Sequence, residues 1–166
     1  MKTNRKLLRG LFAAILSSAC IAPALAGPGG AGADWSVYFG TPDGWRYSQL
    51  DQINRKNVRK LKVAWIHQAG ELTGGMQTTP IVIDGIVYTV SANHRVQAID
   101  AASGRELWRY EPKIDKIAQQ AYYGWFNRGV TVTHGKVVLS TGDGRGIALD
   151  QKTGKEVWQV QLTDLR

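Results

Sequence analysis

The stretch AIDAASGRELW at 98–108 is spelled again, 50 residues later, as ALDQKTGKEVW at 148–158. Laying 82–108 over 132–158 needs no gap, and nine of the 27 positions are identical. They are Val82/Val132, Gly85/Gly135, Val87/Val137, Arg95/Arg145, Ala98/Ala148, Asp100/Asp150, Gly104/Gly154, Glu106/Glu156 and Trp108/Trp158. A repeat of this length made of short β-branched runs points to a radial array of small sheets.

The strands of each copy can be read outward from that match. Ile81–Ile83 and Ile86–Val90 flank Asp84-Gly85, the signature of a hairpin closed by a tight turn. The second copy gives 130–133 and 136–140 around His134-Gly135. Third strands are expected at 96–99 and 146–149, and fourth strands at 105–110 and 155–160. Four antiparallel strands per repeat make one propeller blade, so the expected fold is all-β with two complete blades. Leu61-Lys62-Val63-Ala64-Trp65 reads as a fourth strand without its blade, of the kind that completes the last blade of a closed ring. Closed rings use about 4–8 blades. Two blades would leave sheet edges bare, so the sequence reads as the truncated front end of a longer protein.

The repeated D-x-x-[ST]-G joins the third and fourth strands. Asp100 and Asp150 are expected to accept hydrogen bonds from backbone N–H groups two residues on, as in an Asx turn. Gly104 and Gly154 supply the positive φ such a turn needs. Trp108 and Trp158 then offer large apolar surfaces for docking on the next blade. Truncating Trp108 to alanine is expected to cost about 3–5 kcal/mol.

The 166 residues are 43% hydrophobic, enough to build a core. The net charge of +8 is concentrated at the start, where Lys2, Arg5, Lys6 and Arg9 precede any acidic residue. Beyond them stand 17 basic and 13 acidic residues, an ordinary solvated surface that speaks against nucleic-acid binding. The basic start, an apolar run from about Leu11 to Ile21 and Ala24-Leu25-Ala26 form a secretory signal over 1–26, cleaved near Ala26. The expected destination is the periplasm. Cys20, the only cysteine, falls inside that signal, so the mature chain has no disulfide and no thiolate metal site.

Four stretches together carry a family resemblance. They are DWSVYFGTPDGWRYSQLDQINRKNVRKLKVAW (34–65), TTPIVIDGIVYTVSANHRVQAIDAASGRELWRYEP (78–112), NRGVTV (127–132) and ALDQKTGKEVW (148–158). The chain resembles the N-terminal part of the quinoprotein alcohol dehydrogenases, the methanol/ethanol dehydrogenase family that uses pyrroloquinoline quinone (PQQ). The resemblance implies an eight-bladed propeller with PQQ near its axis. It also implies a Ca²⁺ or lanthanide ion on the quinone and hydride transfer from a small alcohol substrate. A periplasmic cytochrome c would accept the electrons, and the full-length form could pair as a dimer. It divides the chain into the signal, a segment 27–77 with the ring-closing strand, blade 1 at 78–110, a functional loop at 111–128 and blade 2 at 129–166.

The same resemblance assigns candidate cofactor contacts. Arg128, in Asn127-Arg128-Gly129, matches a family arginine that contacts PQQ; a guanidinium suits a ligand bearing carboxylates and quinone oxygens. Gln77 falls where the family often has a PQQ-contacting glutamate, and keeps an acceptor without the charge. Tyr122-Tyr123 stands where many members carry a cysteine pair over the PQQ ring. With Trp125, these aromatics could stack on a planar cofactor or pack between blades. The family's metal ligands and catalytic aspartate lie in later blades and have no counterpart in this chain.

Other constellations are weak. His67, His94 and His134 lack metal-ligand spacing. Gly142-Asp143-Gly144-Arg145-Gly146 is glycine-rich, but no helix follows it, so it reads as a turn rather than a phosphate cradle. Two alternatives to the alcohol dehydrogenase stay open. One is a non-catalytic propeller that binds a partner; the other is a PQQ sugar dehydrogenase, which several membrane spans would favour.

Overall fold

The computed structural model of the chain describes residues 34–70, 75–114 and 126–163. The expected signal sequence and Cys20 therefore lie outside the described residues. Eight strands follow in order: β1 (Ile81–Ile83), β2 (Ile86–Val90), β3 (Val96–Asp100), β4 (Glu106–Tyr110), β5 (Thr131–Thr133), β6 (Lys136–Ser140), β7 (Arg145–Asp150) and β8 (Glu156–Gln161). They form two four-stranded sheets, β1-β2-β3-β4 and β5-β6-β7-β8, and every neighbouring pair is antiparallel. Each lies within about a residue of its sequence reading, because the β-branched runs and the turn residues agree on where a strand must stop.

The turns show why. Asp84-Gly85 and His134-Gly135 adopt positive φ at both positions, the geometry whose twist matches the flanking strands. Both sheets slip register at one place, between Ala98 and Ile99 and between Ala148 and Leu149. The slip lies against the outer strand, where Ala98 faces Trp108 and Ala148 faces Trp158. An extra residue there sharpens the local twist beside each indole.

The D-x-x-[ST]-G turn is held more tightly than expected, and one residue further along. Asp100 accepts from the Ser103 N–H at 2.7 Å and from its hydroxyl at 2.6 Å. Asp150 accepts from the Thr153 N–H at 2.8 Å and hydroxyl at 2.7 Å, with a longer bond from Lys152 N–H at 3.2 Å. The main partner is thus three residues on, because the serine or threonine hydroxyl brings its own N–H to the same oxygen. These bonds to the charged form hold both carboxyls below their usual range, the hydroxyl bond being the largest cause.

Each such turn receives an indole from the element before it. Trp65 Nε1–H donates to the Ala101 carbonyl at 2.9 Å, and Trp108 Nε1–H donates to the Gln151 carbonyl at 3.1 Å. The rings lie on the glycines. A Cβ at Gly104 would stand 2.6 Å from Trp65 Cγ, and one at Gly154 would stand 2.5 Å from Trp108 Cε3. Glycine is needed twice over, for its φ near +70° and for the space above it. Trp158 holds the same place in blade 2 and is 41% exposed.

Residues 61–65 depart from the reading. They form no strand, although Trp65 docks as a fourth-strand tryptophan would. A strand requires a ladder partner, and none of the described strands pairs with this segment. Nearer the start, Trp35 bridges Val82, with N–H···O bonds of 2.8 and 3.0 Å, and lines the free side of β1.

One core joins the two blades. Ile81, Tyr88, Val90, Val96 and Ala98 pack with Val130, Val132, Val137, Leu139, Ile147 and Leu149, and Trp108 and Tyr110 close over them. β8 is exposed along its whole length.

Candidate functional site

Antiparallel alternation sorts the connections to two ends. The hairpins at 84–85 and 134–135 share one end with the D-x-x-[ST]-G turns, tied by Ala101 N–H to Gly85 O and Gln151 N–H to Gly135 O. The other end collects the β2–β3 turn, the β6–β7 turn and the crossing from β4 to β5. Arg128 therefore stands at the end opposite the docked tryptophans.

The fold brings the segments of Gln77 and Arg128 side by side. Thr79 N–H donates to the Arg128 carbonyl at 3.1 Å. Gly129 has φ of +146°, and a Cβ there would meet the Thr79 carbonyl at 3.3 Å. Counted by the 50-residue offset, Gln77 is the repeat counterpart of Asn127. Gln77 is exposed, as is Arg128, whose guanidinium carbon lies 5.4 Å from the Phe126 ring centroid. Between them the Thr78 hydroxyl is buried and has no hydrogen-bond partner. An open cleft of about 280 Å³ runs here, lined by Ser36, Tyr38, Thr79, Arg128, Gly129 and Thr131 among others. Tyr122, Tyr123 and Trp125 lie outside the described residues.

A polar hub backs the crossing. Asn127 Oδ1 accepts from the Gly129 N–H at 3.0 Å, and Asn127 Nδ2 donates to the Ser140 carbonyl at 3.0 Å. Nδ2 also lies 2.8 Å from His94 Nδ1. His94 Nε2 accepts from the Gly142 N–H at 3.0 Å, which requires a neutral ring. His94 is 4% exposed, and burial pushes its pKa below the ordinary histidine value; Asp143 opposes that shift and Arg145 adds to it. Arg145 is paired with Asp143, at 2.9 Å from Nε and 2.6 Å from Nη2. The same guanidinium donates to the Lys113 carbonyl at 2.6 Å. Thr141 closes the turn through its hydroxyl on Asp143.

Sequence reading passed over His94. One signal was present: its repeat counterpart is Gly144, and both sit at positive φ, +60° and +75°. A histidine held where its copy needs glycine marks a constrained site. His67 and His134 do not join it. His67 lies 3.0 Å from Gln97 Nε2 between blade 1 and the preceding segment, and His134 is in its hairpin. Among the described residues, no three His, Cys, Asp or Glu side chains are grouped to hold a metal.

What this end offers a ligand is a cation on a fixed backbone, an unpartnered hydroxyl and an amide. That set suits a planar anion with several oxygens. PQQ, with three carboxylates and two quinone oxygens, has this chemistry, and the residues present fit it.

Indoles docked on glycine turns from one four-stranded sheet to the next define a β-propeller. Residues 35–159 match the family described as "PQQ: Glucose/ethanol/alcohol dehydrogenase, beta-propeller domain", and the chain belongs to it. It is 45% identical over 135 residues to quinohemoprotein alcohol dehydrogenase ADH IIB of Pseudomonas putida, covering 81% of this chain and 19% of that protein. It is 36% identical over 159 residues to the 1-butanol dehydrogenase (cytochrome c) of Thauera butanivorans, covering 95% of this chain and 22% of that one. The crystal structure of the quinohemoprotein alcohol dehydrogenase from Comamonas testosteroni superposes with a TM-score of 0.73 at 42% identity, over 78% of this chain and 19% of that one. The chain thus spans about a fifth of the length of these relatives.

Proposed function

We propose that the chain supplies the first two blades of an eight-bladed, PQQ-dependent dehydrogenase that oxidises a small alcohol in the periplasm. The observation that carries this reading is the joining of the 77–79 and 127–129 segments around an unpartnered buried hydroxyl, in a chain of this family. Arg128 would bind cofactor oxygens through its fork of N–H donors. Thr78 would donate its hydroxyl proton to the same ligand. Gln77 would add an amide without a negative charge, leaving the site more electropositive than a glutamate would. When bound, PQQ supplies a two-electron acceptor for the oxidation of an alcohol to a carbonyl compound. A Ca²⁺ or lanthanide ion and the catalytic base belong to blades beyond these two. A c-type cytochrome is the proposed electron acceptor, as named for the Thauera relative.

Titration of the purified protein with PQQ, followed by quenching of tryptophan fluorescence, tests the site. Saturable quenching is expected, with affinity at least tenfold weaker in Arg128→Ala. Equal affinity in the variant would overturn the assignment. The 166-residue chain given PQQ, Ca²⁺, a redox dye and either a primary alcohol or glucose should not turn over. Clear turnover would refute the division of labour between blades.

A further inference from the structure

Arg128 faces solvent, yet the backbone on both sides of it is fastened. Asn127 Oδ1 reaches across it to the Gly129 N–H at 3.0 Å, so Arg128 sits at the apex of an Asx turn. Asn127 Nδ2 pins that turn to the Ser140 carbonyl, where β6 ends. The front of the same crossing is held as well. Arg145 donates to the Lys113 carbonyl at 2.6 Å, and the Glu111 carboxylate meets Arg95 Nε at 2.7 Å.

The arginine contact is not an accident of one loop. Arg95 and Arg145 are repeat counterparts, and each donates to a backbone carbonyl of the crossing that enters its blade. Arg95 takes the Ala69 carbonyl at 2.7 Å, four residues after Trp65; Arg145 takes Lys113, five residues after Trp108. The crossing held by Arg95 leads to Gln77, and the one held by Arg145 leads to Arg128. The two fastenings of the second crossing meet in one turn. His94 contacts Asn127 with Nδ1 and takes the Gly142 N–H with Nε2, and Gly142 adjoins Asp143, the partner of Arg145.

We propose that Asn127 and Arg145 are positioning residues for Arg128, fastening the two flanks of the β4–β5 crossing to the strand ends on either side of the β6–β7 turn. This rests on the reading that Arg128 meets PQQ. A cation whose Cα is already fixed loses less freedom on binding, and affinity rises accordingly.

A double-mutant cycle on PQQ affinity in the full-length protein tests it. Asn127→Ala is expected to weaken PQQ about tenfold, the worth of one lost part-buried hydrogen bond. In an Arg128→Ala background the same change should have no further effect. Arg145→Lys keeps the charge beside Asp143 but loses the fork, and should weaken PQQ severalfold with the same dependence on Arg128. Full additivity, or no effect of either variant alone, overturns the positioning role. If Arg128→Ala leaves PQQ affinity unchanged, the cofactor reading is what fails. Hydrogen exchange in the cofactor-free protein then decides the rest. Faster exchange of the Gly129 N–H in Asn127→Ala supports the fastening, and unchanged exchange refutes it. Asn127→Asp retains the acceptor for Gly129 and loses the donor to Ser140, and carries the same cycle if the alanine variant does not fold.

Discussion

Gly135 and Gly154 have nearly the same backbone conformation, φ of +70° and +69°, and nothing else in common. A Cβ on Gly135 meets nothing within 4 Å, whereas one on Gly154 stands 2.5 Å from Trp108 Cε3 and 2.6 Å from Cδ2. Alanine at 135 should therefore cost only the left-handed strain, about 1 kcal/mol. Alanine at 154 carries the same strain and must also push the indole off its seat. That displacement breaks the Nε1–H bond to Gln151, worth about 1 kcal/mol. It also forfeits part of the packing, whose total loss in a Trp→Ala truncation is about 3–5 kcal/mol. We expect about 3 kcal/mol for Gly154→Ala, so the difference of about 2 kcal/mol isolates the docking. Urea denaturation midpoints of the two variants measure it. Trp108→Ala should largely erase the difference, since the methyl group then has room. Equal midpoints for Gly135→Ala and Gly154→Ala would show that the indole is not what makes residue 154 glycine.

Three titrations follow from the same contacts. His94 is held below its ordinary pKa, so the unfolded chain takes up the proton first; its contribution is full above about pH 6.5 and is lost as the pH falls from there. With Asp143, Arg145 and Asn127 around the ring, His94→Gln should flatten stability between pH 7 and 5, and an unchanged slope would remove His94 from the account. Burial first, and then the Glu156 carboxylate accepting its hydroxyl proton at 2.7 Å, push the Tyr110 phenol up to about 12. Its share of stability holds below pH 10 and fades toward 12; ultraviolet titration of Glu156→Gln should show this tyrosine ionising earlier, which no change would contradict. Asp100 and Asp150 are held low, so their contribution is present above about pH 4 and lost on further acidification. Removing both hydroxyls, in Ser103→Ala with Thr153→Ala, should move the acid transition to higher pH, and an unmoved midpoint would count against these bonds.

The fold was legible because the strand boundaries at one end of each sheet are set locally, by Asp84-Gly85, His134-Gly135 and the two Asp-x-x-Ser/Thr-Gly turns. The repeat doubled each signal. Leu61–Trp65 has the composition of a strand, but none of the described strands offers it a ladder partner. The Asx reading slipped by one residue because a hydroxyl, not only a backbone N–H, competes for the aspartate. The hub around His94 showed in the sequence only as a histidine where the repeat has Gly144. Its members come from positions 94, 127 and 140–145, and neither burial nor the closeness of Asn127 can be read before the chain is folded. Arg128 was put forward by resemblance; that Asn127 spans it was written only in the geometry.

Blade 1 presents a glycine-floored turn to the segment before it and an indole to the blade after it, and blade 2 repeats the same turn and the same tryptophan. A 50-residue segment of this kind carries both a plug and a socket, always of the same pattern. Insertion of one more segment in tandem would leave every junction chemically unchanged, so ring size can grow by copying rather than by redesign. The same arrangement confines damage, since a defect at one junction weakens two neighbours and reaches no further.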